Sequence, residues 1–296
     1  MTQGITKLLR LLGRVLLGAL GVLVLVGAWE AYKALGPDNG VVVGGNTILP
    51  RTTDLAMPHV WDMLTTFSDP VNSFSGSDTV GSVVWSACLF TLKLAAIGWG
   101  IGVAVGLVLA LLMARFRLAE TAMLPWIVLS QTVPLIAIAP LVRRWGSQIH
   151  LGGWVWSSEN SVSVIAAYLA FFPVAVGALR GLRSPDATHL DLMHAYGVGW
   201  WRSLVKLRLP ASVPYLLPAL RLAAASSVIG TVVAEVSIGL RGGVGRLVIE
   251  YAQSAGGDPA KPWAPIFGAV AVGLVAAGAV GLIGLLCRPY RRGETA

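Results

Sequence analysis

The chain has few charged residues for its length. Lys, Arg, Asp and Glu together make up 12% of the 296 residues, whereas soluble globular proteins carry about 25%. Hydrophobic residues make up 55% of the chain, and its mean hydropathy is +0.74. This composition excludes an ordinary soluble domain and predicts a polytopic membrane protein. The two cysteines, Cys88 and Cys287, are expected near opposite membrane faces, so no disulfide is predicted.

The sequence also lacks the motifs of common enzymes. It contains no G-x-x-x-x-G-K-[ST] loop, no HExxH pair and no Gly-x-Ser-x-Gly turn. We therefore expect that the chain has no catalytic residues, no metal site and no bound cofactor. The net charge of +8 could indicate nucleic-acid binding, but no platform of alternating aromatic and basic residues accompanies it. Basic loops of a membrane protein explain the charge, so the expected surroundings are lipid and not nucleic acid.

Six apolar stretches approach the length of a membrane span. They lie at about 15–29 (extending to 35 at most), 94–114, 123–142, 162–179, 213–236 and 264–287. The first could instead be a signal peptide, but no convincing cleavage site precedes Trp29, which favours an uncleaved anchor. The predicted divisions are a tail and first span at 1–35, an outer loop at 36–93, a core of five spans at 94–287 and a tail at 288–296. The outer loop includes an expected amphipathic segment with Leu55, Val60, Trp61 and Leu64.

Basic residues are distributed unevenly between the loops. Thirteen of the 22 fall on the side that holds both termini and the loop 180–211, and seven fall on the other side. Because cytoplasmic loops are enriched in Lys and Arg, we expect both termini and this loop in the cytoplasm.

Glycine and proline indicate how two of the spans are built. Gly98, Gly102 and Gly106 recur every fourth residue, which predicts a face for close helix packing. The third span contains three prolines, and Gln131 and Thr132 lie close to one of them, Pro134. Polar residues beside a helix break are typical of substrate sites in transporters, although they can also form helix–helix hydrogen bonds. Gln131, Thr132 and Pro134 are therefore candidates for a translocation path.

The loop 180–211 has two helical patterns. The first begins near Pro185, which favours a first helical turn, and stops at Gly197, because glycine accepts the left-handed conformation that ends helices. The second begins near Trp200 and is expected to end at Pro210. Five basic residues and two acidic residues accompany these patterns, which is typical of a docking surface.

The run from Asp191 to Gly197, followed by Arg208-Leu-Pro-Ala211, resembles the cytoplasmic EAA loop of ABC-importer permeases. Asp191 stands where Glu is usual, and Leu192-Met193 replaces the two alanines. Three other stretches resemble the subgroup that imports nitrate, sulfonates, taurine and vitamin precursors, and the resemblance extends from Pro50 to the C-terminus. These are Ile48-Leu-Pro50, Ser130-Gln-Thr-Val-Pro134 and Ala234-Glu235.

The resemblance implies an all-α permease of the type I importer class in a prokaryotic cell membrane. It implies a second permease subunit (the same or a related chain), a cytoplasmic ATPase dimer that uses the ATP, and an extracytoplasmic solute-binding protein. The implied ATPase-coupling residues are Asp191, Met193, Ala195, Gly197, Leu209 and Pro210. The substrate stays open between a small organic anion, such as a sulfonate, nitrate or taurine, and a pyrimidine-like or flavin-like vitamin precursor.

Three charged residues near the outer side have several interpretations. Glu235 is a further translocation-path candidate, expected to face the pore entrance or a basic partner such as Arg241 or Arg246, and not lipid. Arg143 and Arg144 are candidates for docking the binding protein, with anionic substrate and lipid phosphate as alternatives.

Two other functional classes fit a polytopic chain. An ion-coupled secondary transporter usually needs carboxylates within the membrane, and Glu235 is the main one here. A membrane scaffold would have no transport path. The docking loop favours the ABC permease over both.

Overall fold

A computed structural model describes residues 2–72 and 78–286, so Cys287 and the predicted tail 288–296 lie outside the described residues. Within these residues, five helices are long and apolar enough to cross a membrane, and a bent pair of shorter helices makes a sixth span if counted as one, as predicted. The helices are α1 Thr2–Leu35, α2 Val60–Thr65, α3 Val80–Arg115, α4 Arg117–Ser130, α5 Leu135–Gly146, α6 Ser158–Leu182, α7 Ala187–Ala195, α8 Trp200–Ser203, α9 Leu209–Ile238, α10 Val244–Gln253 and α11 Trp263–Leu286. Two small antiparallel hairpins pair β1 Val41–Val43 with β2 Asn46–Leu49, and β3 His150–Leu151 with β4 Trp154–Val155.

The described residues form two compact units. One contains residues up to 82 together with 250–264, and the other contains 83–249 together with 265–286. In the first unit, the end of α1 is tied to the segment that follows the β1–β2 hairpin. Glu30 accepts a hydrogen bond from the Val60 N–H at 2.8 Å and pairs with His59 at 2.7 Å.

The predicted amphipathic segment of the first unit is shorter than expected. The helix α2 has only six residues and begins at Val60, so Leu55 lies in the turn before it. Met63 is the buried residue of α2, whereas Trp61 and Leu64 are exposed.

The core of the second unit is built on small residues. The helices α6 and α9 run antiparallel, and a Cβ atom added to Gly177 would lie 2.4 Å from the Ala219 Cβ. The glycine face of α3 packs against α6 in the same way, because a Cβ atom at Gly102 would lie 2.6 Å from the Ala170 Cβ. Gly98 and Gly106 have equally close neighbours on α6. The predicted packing face of α3 is therefore confirmed.

The third predicted span is two helices with a sharp bend between them. The helices α4 and α5 meet at 103°, and the break lies between Ser130 and Leu135. Pro134 directly precedes α5 with an extended backbone. The sequence predicted the position of this break but not the size of the bend.

The second helix of the 180–211 loop does not end at Pro210, and that prediction was wrong. A π-helical turn spans Leu204–Arg208, and the chain continues through Pro210 directly into α9. In an α-helix the ring of Pro210 would clash with the carbonyl of Lys206, four residues earlier. A wider turn just before the proline relieves that conflict.

Two segments between the predicted spans contain helical residues. Arg143 and Arg144 belong to the last turn of α5. The segment between α9 and α11 contains α10, whose buried Val244, Leu247 and Tyr251 follow the spacing i, i+3, i+7.

Candidate functional site

The helix α7 has no buried residue, and most of its side chains are exposed. Among its nine residues, Leu192 is 53% exposed. Next to it, Tyr196 and Trp201 are 79% and 72% exposed, and Val205 is also exposed. We call α7 together with Tyr196, Trp201 and Val205 the α7 surface. Large exposed apolar side chains that follow closely in the sequence are consistent with an interaction site.

Gly197 ends α7 in the conformation that the sequence predicted. Its φ is 66°, and its N–H donates to the His194 carbonyl at 2.9 Å. The Val198 N–H donates to the Met193 carbonyl, also at 2.9 Å. These two bonds form a Schellman motif, which satisfies the last carbonyl groups of a helix. A side chain at residue 197 would be strained even though the space around it is open.

The α7 surface is attached to the spans through its flanking segments. Arg208 donates to the Leu182 carbonyl at the end of α6, at 3.1 Å. The Ser184 hydroxyl donates to the Ala211 carbonyl in α9, at 3.2 Å. Arg183 binds Glu120 of α4 with both terminal nitrogens. These bonds connect the segments on either side of α7 to the ends of α4, α6 and α9.

The predicted coupling residues fall into two groups. Asp191, Met193, Ala195 and Gly197 lie in α7 and its cap, and only Met193 among them is half-buried. Leu209 and Pro210 form the first turn of α9.

The polar residues at the α4–α5 bend are bonded within the bend itself. Gln131 donates to the Ser130 hydroxyl at 3.1 Å, and Thr132 donates to the Leu129 carbonyl at 2.8 Å. Tyr168 of α6 donates to the Ser130 carbonyl. Thr132 and Pro134 are exposed and Gln131 is half-buried, so this bend presents polar atoms beside a helix break.

Glu235 lies in a different environment from the bend. Its side chain is fully buried, and its carboxylate accepts hydrogen bonds from the Thr91 hydroxyl and the Gly245 N–H, both at 2.8 Å. It does not face lipid, as predicted. It is enclosed by α3, α9 and α10, and these two bonds come from groups other than the arginines that were expected. Its place on a translocation path stays a prediction.

Arg143 also has a partner that the sequence did not reveal. Its guanidinium donates to the Ile238 carbonyl in the last turn of α9, at 2.9 Å. A cation at this position is favourable because the C-terminal end of a helix carries partial negative charge. Arg144 is exposed. Across residues 2–72 and 78–286, no group of three or more His, Cys, Asp or Glu side chains could hold a metal ion.

A family match covers more than half of the chain. Residues 102–288 match the family described as "Binding-protein-dependent transport system inner membrane component". The chain belongs to this family. The match contains the α4–α5 bend, the α7 surface and the whole of α9. The prediction of an ABC-importer permease from the loop 180–211 is thereby confirmed.

Several curated permeases are similar to this chain. A "Probable ABC transporter permease protein" of Haemophilus influenzae is 33% identical over 198 residues, which cover 64% of this chain and 77% of that protein. The formylaminopyrimidine transport permease protein of Halalkalibacterium halodurans is 30% identical over 206 residues, covering 68% and 76%. The "Putative aliphatic sulfonates transport permease protein" of Bacillus subtilis is 30% identical over 159 residues, or 54% of each chain.

The contacts of this permease include several that sequence reasoning missed. Thr91 was not singled out because a lone threonine in an apolar helix carries no signal of a partner 144 residues away. The helix α10 could have been found, since its apolar residues follow a helical period. The pairing of Glu120 with Arg183 was also missed, because it joins residues 63 positions apart on different helices.

Proposed function

We propose that this permease forms the solute path of an ATP-driven importer and docks to a cytoplasmic ATPase dimer through the α7 surface. The exposure of α7 is the observation that carries the proposal. A nine-residue helix without a single buried residue, beside exposed Tyr196 and Trp201, has apolar surface free for a partner. Short helices that present exposed side chains can bind in grooves of partner proteins.

The attachment of α7 to three spans supports a coupling role. Closure of the ATPase dimer would displace α7, and the bonds of Arg183, Ser184 and Arg208 would pass that displacement to α4, α6 and α9. The spans would then move as rigid bodies and change access from one side to the other. In this proposal the permease carries out no covalent chemistry and binds no cofactor, because the ATPase subunits bind and hydrolyse the ATP.

The proposed assembly contains two permease subunits, of the same or a related chain, and an extracytoplasmic solute-binding protein. Both termini and the α7 surface lie in the cytoplasm. The excess of basic residues on that side supports this orientation.

The proposed substrate is a small organic anion or a vitamin precursor. The similarity to an aliphatic sulfonates permease supports the first class, and the similarity to a formylaminopyrimidine permease supports the second. The solute-binding protein selects the substrate before the permease receives it. A calorimetric screen of the cognate binding protein against sulfonates, nitrate, pyrimidines and flavins distinguishes the two classes.

Two glycines beside α7 provide a matched test of docking. Gly197 has φ of 66°, whereas Gly199 has φ of −64°, and neither has an atom within 4 Å of an added Cβ. Gly197→Val therefore strains the cap of α7, at about 1–2 kcal/mol, while Gly199→Val leaves α7 intact.

We expect both variants in the membrane at normal levels. Gly199→Val keeps the co-purifying ATPase and substrate uptake, and Gly197→Val loses uptake or the ATPase. Docking through α7 is refuted if Gly197→Val retains both substrate uptake and the co-purifying ATPase. The importer assignment itself is refuted if the wild-type permease, purified from its own host, brings no ATP-hydrolysing partner.

A further inference from the structure

The outer end of α9 is held by a buried polar cluster. Glu235 accepts hydrogen bonds from Thr91 of α3 and from the Gly245 N–H of α10, both at 2.8 Å. The Thr91 hydroxyl in turn accepts a bond from the Val244 N–H at 2.9 Å. We call Thr91, Glu235 and the first turn of α10 the outer clamp.

The outer clamp satisfies groups that would otherwise be costly to bury. The first N–H groups of a helix have no partner within that helix, and the Glu235 carboxylate and the Thr91 hydroxyl accept two of them in α10. A negative charge at this position also complements the partial positive charge of the helix N-terminus. A buried carboxylate without such partners would be strongly destabilising.

Glycines make this close approach of α10 possible. A Cβ atom at Gly243 would lie 2.2 Å from the Glu235 carboxyl carbon, and one at Gly245 would lie 2.4 Å from the Val232 carbonyl oxygen. Any larger residue at these positions would separate α10 from α9. The segment from 243 to 245 therefore approaches the Glu235 side chain closely only because two of its residues are glycines.

A fourth element joins α9 at the same end. Arg143 of α5 donates to the carbonyl of Ile238, the last residue of α9. The outer end of α9 is thus bonded to α3, α5 and α10. Its inner end continues through the π-helical turn into the segment that carries the α7 surface. One helix of 30 residues, about 45 Å long, connects the two.

We propose that Glu235 is a positioning residue. When the solute-binding protein docks, the outer clamp transmits the resulting displacement of α10 through α9 to the α7 surface. This inference rests on the proposed function. Arg241 and Gly242, directly before α10, are exposed and available to a partner on the outer side. A displacement of α10 is transmitted to α9 through the hydrogen bonds of Glu235 and Thr91, because the close packing around them restricts sliding of α10 along α9.

The test uses the whole complex of permease, ATPase and binding protein in lipid vesicles. Thr91→Val keeps the shape of the side chain and removes the hydroxyl, whereas Thr91→Ser keeps the hydroxyl. Ser237→Ala is the matched control, because the Ser237 hydroxyl bonds to the Val233 carbonyl of its own helix. The measurements are co-purified ATPase, ATP hydrolysis without binding protein, and its stimulation by substrate-loaded binding protein.

We expect Thr91→Val to keep the ATPase and the unstimulated hydrolysis while its stimulation falls roughly fivefold or more, a coupling of ordinary size. Thr91→Ser restores the stimulation, and Ser237→Ala leaves it unchanged. Glu235→Gln lowers stimulation as well, and the double variant is no worse than the poorer single variant, since both changes break one network.

Two results would overturn the positioning role. One is normal stimulation in Thr91→Val. The other is an equal loss of stimulated and unstimulated hydrolysis that follows the loss of folded protein, which is the result of a purely structural role. Absence of an ATPase from the wild-type complex would instead contradict the proposed function, so the two failures are distinct.

Discussion

Lys33 carries a buried ammonium group at the end of α1. Its Nζ donates to Asp54 and to the Met57 carbonyl, both at 2.6 Å, and to the Thr52 carbonyl at 3.4 Å. The hydrogen bond from Lys33 lowers the pKa of Asp54 below the usual value of a carboxyl group. The ion pair is therefore intact at neutral pH, and its contribution is lost only as the pH falls through that lowered pKa.

Replacing Lys33 should destabilise the segment from Thr52 to Met57, which its ammonium group contacts. Lys33→Met leaves two carbonyl groups without this partner, at a cost of about 1–3 kcal/mol. We expect faster hydrogen exchange at Ala56 and Met57, whose N–H groups both donate to the Thr53 carbonyl. Asp54→Asn should have a smaller effect because the backbone acceptors remain.

The control for this measurement is Asp38→Asn, since Asp38 is an exposed carboxylate of the same unit. Equal exchange at pH 7 in Lys33→Met and the wild type would show that Lys33 does not hold the segment.

Two glycines of α3 offer a direct test of helix packing. A Cβ atom at Gly102 would lie 2.6 Å from the Ala170 Cβ, whereas one at Gly100 would have no atom within 4 Å. Gly102→Ala should therefore lower stability by about 1–3 kcal/mol through overpacking. Gly100→Ala should be neutral or slightly stabilising, because alanine favours the helix. Thermal unfolding of the two variants in detergent measures the difference, and equal melting temperatures would contradict the contact between α3 and α6.

Sequence reasoning predicted those elements whose signal is local and periodic. The glycines of α3, the cap at Gly197 and the break before Pro134 follow directly from the conformational preferences of these residues. The continuation of the helix through Pro210 was missed, because the effect of a proline depends on whether the turn before it can widen.

The outer clamp was missed for a different reason. Its members lie on three helices, and the carboxylate of Glu235 bonds to a hydroxyl 144 residues away in the chain. Periodicity and spacing describe one element at a time, so they indicated that Glu235 needed a partner without identifying it. Arg143 is a similar case, since its acceptor is a backbone carbonyl that has no signature in the sequence.

The contacts of α4 and α5 show how the bent pair crosses the second unit. Glu120 in the first turn of α4 binds Arg183 at the end of α6. Arg143 at the end of α5 binds Ile238 at the end of α9. Because α6 and α9 are antiparallel, these two contacts lie at opposite ends of the α6–α9 pair. The bent pair is therefore expected to cross the membrane once as a broken span, and not to return to the side where it begins.

Labelling of single cysteines distinguishes these two paths. The background replaces Cys88 and Cys287, and the probes are Leu118→Cys in α4 and Ser147→Cys after α5, both at exposed positions. In right-side-out vesicles a membrane-impermeant maleimide should react with residue 147 and reach residue 118 only after permeabilisation. Labelling of both from one side would indicate a re-entrant loop and five spans, and the reverse pattern would contradict the cytoplasmic position of the termini.

The length of α3 indicates where the outer clamp lies relative to the membrane. Its 36 residues extend about 54 Å, whereas the hydrocarbon layer of a bilayer is about 30 Å thick. Tilting alone would require about 56°, which is more than the 0–40° that membrane helices adopt. Part of α3 is therefore expected to extend beyond the hydrocarbon layer. Thr91 lies 24 residues from Arg115, or about 36 Å along the helix. If Arg115 marks one boundary of the hydrocarbon layer and α3 is only slightly tilted, the Glu235 carboxylate is expected at the opposite boundary, where polar groups are less costly to bury.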